Sequence, residues 1–241
     1  MVELLGELKA AREQGREAEI SLTDLPKSTS EAYAWLTPQV SHAAAWKIGG
    51  ANPWSRAVFN NSEVFFGPLT ASELLVETAE ISLAGLYAPL AEPEVMLRLG
   101  DLEAVTPDRL FDRVGLGFEV PASVLPGVAK GELTGQIADR AGAGALWIGA
   151  VQPFAEEWFL TDFESEFRHN CGEPIVGGSR NIIGGPLGAA REFVQLAKTH
   201  GYVLRPGQWI ASGGLSPAVS VSPGDRLTFV ALGKTVQVEL V

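Results

Sequence analysis

The chain carries a single cysteine, Cys171, in 241 residues, so no disulfide can form within it. Its stability must come from a packed core, and a reducing cytoplasm is its expected home. Cations are sparse: 18 Lys and Arg stand against 29 Asp and Glu, for a formal net charge of −11. With no Lys/Arg run, the chain lacks the electrostatic footprint of a nucleic-acid binder or of a protein drawn to an anionic membrane. Long apolar runs are missing too. No stretch approaches the roughly 20 residues of a membrane-spanning helix, and the acidic N-terminus has too short an apolar run for a signal peptide. Histidine is scarce, with three in all. Neither His42 nor His169 stands at metal or triad spacing, so both read as surface or strand residues, and Cys171 reads as a packing residue in a turn. No repeat or linker interrupts the chain.

What is present suits one domain. At 46% hydrophobic residues the chain can bury a sizeable core, and 27 Gly with 15 Pro predict many turns between short strands. Leu4, Leu5, Leu8 and Ala11 mark an amphipathic helix over residues 2–14. Ser28 and Glu31 have capping-box spacing and open a second helix that Pro38 should end. Ala43–Gly50 reads as a buried strand, with Trp46 and Ile48 on one face and Lys47 on the other. The stretch 52–68 reads as a loop with Trp54, Phe59, Phe65 and Phe66 as packing residues. Helices are expected over 70–78, from Thr106 to Arg113, over 134–143 and over 186–200. Strands are expected over 160–169, 175–178 and 209–214, and a hairpin around Gly233-Lys234 closes the chain.

The chemistry concentrates in Glu92-Pro93-Glu94. In a strand the two carboxylates share a face, and Pro93 holds the chain extended between them. Glu119 stands out of the alternation Leu116, Phe118, Val120. Three carboxylates without convergent Cys or His make an oxygen-only donor set, suited to Mg²⁺, Mn²⁺ or Ca²⁺. Spacing alone leaves a second reading open, in which all three are solvated acids on a strand face. Lys47 is open in the same way, either snorkelling to the surface or held as a charge within a site.

Several motifs in order extend the picture. Ala32-Tyr33-Ala34, Trp46-Lys47-Ile48-Gly49, Phe66-Gly67-Pro68-Leu69, Glu92-Pro93-Glu94, Phe118-Glu119-Val120 and Ile137-Ala138-Asp139 run through the first part. Gly185-Pro186-Leu187-Gly188, Leu204-Arg205-Pro206-Gly207, Ser212-Gly213-Gly214-Leu215 and Pro223-Gly224-Asp225 follow. In this order the chain resembles the 2-keto-4-pentenoate hydratase / 4-oxalocrotonate decarboxylase family of the fumarylacetoacetate hydrolase-like superfamily. The resemblance implies a mixed α/β (α+β) fold, a twisted β-roll with an N-terminal helical region, as one domain over 1–241: helical over 1–40, a β-rich catalytic core over 41–241. It implies Mg²⁺ or Mn²⁺ on Glu92, Glu94 and Glu119, and a small 2-oxo acid substrate passing through a metal-stabilised enolate. Lys47 would be catalytic, with Asp139 to orient it or to position water. Ser212, Gly213, Gly214 and Leu215 would hold the substrate carboxylate. A homo-oligomer, or association with a related subunit, is also implied.

Departures from the family pattern shape the remaining expectations. Leu36, Ser72 and Arg140 stand where relatives often have Gln, Asp and Asn. Loss of those polar groups favours decarboxylation over hydration, and Arg140 could hold the second carboxylate of a diacid. Two further readings stay open. One is a catalytically impaired metal-binding partner subunit. The other is a C–C hydrolase, disfavoured because no His lies between Lys47 and Glu94.

Overall fold

The computed structural model describes every residue except Met1 and Val105. The N-terminal half of the chain begins with helices α1 (Val2–Gln14) and α2 (Thr29–Val40), strand β1 (Ala45–Gly49) and helix α3 (Pro53–Phe59). Strands β2 (Phe65–Leu69), β3 (Leu74–Val76), β4 (Glu80–Ile81) and β5 (Leu90–Leu99) follow. Helix α4 (Pro107–Leu110) leads into β6 (Phe111–Val120), α5 (Leu133–Ala138) and β7 (Ala145–Pro153). Then come β8 (Glu164–His169), β9 (Ile175–Gly178), α6 (Gly185–Thr199), β10 (Trp209–Ala211) and β11 (Val219–Ser220). The hairpin of β12 (Arg226–Ala231) and β13 (Lys234–Leu240) ends the chain.

The strands form two mixed sheets. One runs β2-β1-β10-β5-β6-β7-β3, with β11 paired to the start of β5; the other runs β4-β13-β12-β8-β9. The period-2 alternation of β5 and β6 sorts their side chains between two compartments. Val95, Leu97, Leu116 and Phe118 enter the main core, where they meet Phe167, Phe229 and Val238 of the second sheet. Met96, with Ala45, Ala211 and Leu146, enters a smaller core on the opposite face. That second face also carries Lys47, Glu92, Glu94 and Glu119, as strand parity requires. Helix α1 packs elsewhere: Leu4, Leu8 and Ala11 join Val124, Leu125, Ala129 and Ala138 in a separate cluster.

Several sequence expectations are corrected by packing. Helix α2 runs through Pro38 to Val40, because burying Leu36 and Val40 outweighs the one hydrogen bond Pro38 cannot donate. Its capping box is half made: Ser28 Oγ accepts from Glu31 N, but the Glu31 carboxylate accepts from Lys27 N. The stretch 52–68 is not loop but α3 followed by β2. Residues 70–78 begin a turn that Glu73 caps by accepting from Thr70 N at 2.7 Å. The chain then becomes β3, since Leu74–Val76 pair in parallel with Leu146–Ile148 and sheet pairing overrides helix propensity. The helix at Thr106 stops at Leu110, where β6 starts. The final hairpin turns at Leu232-Gly233, both left-handed, one residue before the expected place. Among the described residues, no helix is long and apolar enough to cross a membrane.

Candidate metal centre

Register brings the acids together. Glu92 stands directly across the β5–β6 ladder from Glu119, and Glu94, two residues on, shares their face. One oxygen from each can be chosen so that all three lie within 4.8 Å of one another, the only such metal-ligating cluster among the described residues. Lys47 reaches the same group from β1: its Nζ lies 2.8 Å from Glu119 Oε1. Lys47 is 8% exposed, Glu94 0% and Glu119 1%, with Glu92 half-buried, so the lysine does not snorkel and Glu94 and Glu119 do not lie on a wet face.

The loop after β10 completes the cradle. β10 leaves the ladder at Ala211, opposite Met96, and the chain that follows touches β5 through single bonds. Ser212 Oγ donates to Val95 O at 2.7 Å and Leu215 N to Pro93 O at 2.9 Å. Between them, Gly213 N turns inward and donates to Glu94 Oε2 at 2.7 Å. Gly213 has φ +110°, and a Cβ there would stand 2.5 Å from that of Ala51, so only glycine lets this amide reach the carboxylate.

The donor set fits a divalent cation. Glu94 Oε1 and Glu119 Oε2 are buried and accept no hydrogen bond, a costly state for carboxylate oxygens unless a cation meets them. Three carboxylates face one ammonium, which leaves about two charges to be neutralised. Burial raises all three carboxyls: Glu92 is raised, Glu94 is raised well above the ordinary range with the Glu119 and Glu92 charges adding to burial, and Glu119 is pushed up to about 7. Burial alone would pull the Lys47 ammonium down, but the Glu119 and Glu92 charges outweigh it and hold it above the ordinary lysine value.

Lys47, Glu92, Gly214 and Gln136 line a cavity of about 190 Å³, walled by Trp54, Phe59, Phe65 and Pro121. Asn52, Ser55 and Gln136 are its neutral polar groups. These three escaped sequence reasoning. Asn52 falls in the stretch expected as loop, yet its amide donates to Asn181 O (2.7 Å) and Gly214 O (2.9 Å), tying the end of β1 to the Gly214 loop. Gln136 sits within a helical stretch whose inward face the sequence did not identify.

Other expected site residues lie elsewhere. The Ser212 hydroxyl is committed to Val95 O, Gly213 N holds Glu94, and Leu215 is buried with its backbone paired. Of the four residues assigned to the substrate carboxylate, Gly214 alone lines the cavity. Asp139 does not orient Lys47. Its carboxylate takes Arg12 of α1, Ser123 Oγ at 2.8 Å and Val124 N at 3.1 Å. Arg140 is paired with Glu73 at 2.8 and 3.0 Å. Both face a separate cavity of about 640 Å³ between α1 and α2, larger than the first but without the acidic cluster.

No known family profile matches the chain. It is 28% identical over 185 residues to a 2-keto-4-pentenoate hydratase of Paraburkholderia xenovorans, spanning 74% of this chain and 68% of the relative. To a 4-oxalocrotonate decarboxylase of a Pseudomonas species it is 29% identical over 183 residues, spanning 74% and 70%. In structure it superposes on the 4-oxalocrotonate decarboxylase of Pseudomonas putida G7, complexed with magnesium and adipate. That match has a TM-score of 0.86 at 20% identity and covers 100% of this chain and 97% of the other.

The fold is thus the one the decarboxylase has, and on it the three carboxylates form a cluster that could hold a metal ion. In sequence the chain is similar to 2-keto-4-pentenoate hydratases and 4-oxalocrotonate decarboxylases, both lyases by type.

Proposed function

We propose that the chain is a Mg²⁺- or Mn²⁺-dependent lyase acting on a short 2-oxo acid, and that it adds water to a monocarboxylic 2-hydroxydienoate. The observation that carries this reading is the convergence of Glu92, Glu94, Glu119 and Lys47 in one cluster, of which Lys47 and Glu92 line a small cavity. A cation held by the three carboxylates would supply Lewis-acid polarisation of a 2-oxo group. The remaining work falls to the chain itself. Lys47, kept charged by Glu119, can hold the developing negative charge and return a proton along the conjugated chain. Trp54, Phe59 and Phe65 give the cavity an apolar wall, which strengthens the charge interactions beside it.

The tail of the cavity favours a monoacid. Lys47 is the one cation among its lining residues; Glu92 is the one acid, and Asn52, Ser55 and Gln136 are neutral. The expectation from sequence, a diacid held by Arg140, loses its support because Arg140 pairs with Glu73 outside this cavity. A second reading, decarboxylation of an unsaturated oxo-diacid, is favoured by the full-length likeness to the decarboxylase fold. A side-by-side assay with Mg²⁺ or Mn²⁺ decides: loss of dienol absorbance from the monoacid against CO₂ release from the diacid. Faster CO₂ release would favour the second reading, and inactivity toward every 2-oxo acid would leave a non-catalytic partner subunit.

A further inference from the structure

A backbone turn stands between the two cavities. Arg140, Ala141 and Gly142 have φ of +54°, +56° and +70°, three successive residues in the left-handed region. Glycine enters that region freely, whereas residues with a Cβ pay a steric cost there. Strain of this kind persists only where the surroundings over-determine it.

Here the surroundings are specific. Glu73 accepts from Arg140 Nη1 at 3.0 Å and Nη2 at 2.8 Å, a two-pronged pair with both side chains mostly buried. Glu73 is itself anchored by accepting from Thr70 N at 2.7 Å and Thr70 Oγ1 at 3.0 Å. Such a planar pair fixes orientation as well as distance. On its other side the turn presses on the strand beside Lys47. Gly67 is the register partner of Lys47 across β1 and β2. A Cβ on Gly67 would stand 1.8 Å from Arg140 O, so the turn fills the space a side chain at 67 would take, on the face that carries Lys47. The next residue, Ala141, lines the cavity with Lys47.

We propose that Glu73 and Arg140 are positioning residues for Lys47: their pair holds a strained left-handed turn as the wall beside the lysine from outside the cavity. The pair touches neither the acidic cluster nor the cavity, so its influence travels through the backbone of the turn. Near-attack geometry is lost by displacements of about 1 Å, so a relaxed wall lowers turnover without removing a reacting group.

Two substitutions separate strain from charge. Arg140→Ala and Arg140→Gly both delete the pair, but only glycine adopts the left-handed conformation without cost. The reading of catalysis rests on the function proposed above, so the first measurement is independent of it: the rate at which an amine-directed reagent labels Lys47 in the metal-free protein, followed by peptide mass spectrometry. Arg140→Ala should label at least about tenfold faster than wild type, as should Glu73→Gln, while Arg140→Gly stays within about twofold. Turnover of the monoacid should fall about tenfold in kcat for Arg140→Ala and recover in Arg140→Gly, with Mg²⁺ raising the melting temperature equally in all. If Glu73→Gln does not fold, the alanine and glycine pair still decides. Labelling unchanged in Arg140→Ala, or equally fast in Arg140→Ala and Arg140→Gly, overturns the proposal. A wild type inactive on every 2-oxo acid, with the labelling pattern as expected, overturns the function and leaves the positioning role standing.

Discussion

Glu92 and Glu119 are direct register partners across β5 and β6, with Glu94 beside them and Lys47 on Glu119. Like charges placed directly opposite destabilise a sheet, and here Glu119 is buried and Glu92 half-buried as well. A ladder built this way needs a cation, and the ammonium of Lys47 offsets only one of the three charges.

The first prediction follows from that deficit. Mg²⁺ or Mn²⁺ at millimolar concentration should raise the melting temperature of the chelator-treated protein, by the mass-action stabilisation of any ligand specific to the folded state. Glu94→Gln, which keeps shape and a carbonyl for Gly213 N, should remove most of the gain. A wild-type melting temperature indifferent to metal would refute the assignment.

Lys47 separates from the metal ligands. Lys47→Met keeps the stem and removes the charge, so turnover should fall by roughly 10²-fold or more while metal still stabilises the protein. In the metal-free state the same variant should be less stable than wild type, because Glu119 loses its partner. Unchanged turnover would make Lys47 a packing residue.

Asp139 should behave as a clamp. It joins Arg12 of α1 to Ser123 and Val124, and it is 1% exposed. Asp139→Ala leaves the Arg12 guanidinium without its partner, and such truncations cost about 3–5 kcal/mol. Urea unfolding should show that loss. If the variant kept full stability and lost only turnover, Asp139 would be catalytic after all.

The pH dependence of the metal-free protein has a defined sign. Glu119 moves from an ordinary 4.5 up to about 7 in the folded state, so the folded protein keeps a proton that the unfolded chain releases. The associated stability is present below the unfolded value and is lost as pH rises through the folded one. The melting temperature in chelator should therefore fall between roughly pH 4.5 and 7 more steeply in wild type than in Glu119→Gln. The gain from Mg²⁺ should grow over the same interval, since protons and metal compete for the carboxylates. Equal slopes for the two proteins would contradict the shift.

Much of the site was legible because strand periodicity is local. Glu92-Pro93-Glu94 declared two acids on one face, the alternation around Glu119 set a third apart, and Trp46-Lys47-Ile48 put the lysine opposite its apolar neighbours. The Ser212 hydroxyl and the Gly213 amide are not free for a substrate, a point hidden from the sequence, which shows which groups can donate but not which acceptor is nearer. Val95 O and Glu94 Oε2 take them before any substrate could. The local pattern over 70–78 suits a helix, whereas the partner that makes Leu74–Val76 a strand, Leu146–Ile148, lies about 70 residues away.

By itself the sequence determined the two compartments of the main sheet, the oxygen-only donor set and the absence of disulfides, all consequences of residue type and spacing along one strand or across the composition. Tertiary structure alone decided the register that sets Glu92 against Glu119, and the turn that sends Asp139 and Arg140 away from Lys47. Those outcomes depend on pairing between distant segments, where burial and strain compete. There, Arg12 and Glu73 proved nearer partners for Asp139 and Arg140 than the cavity was.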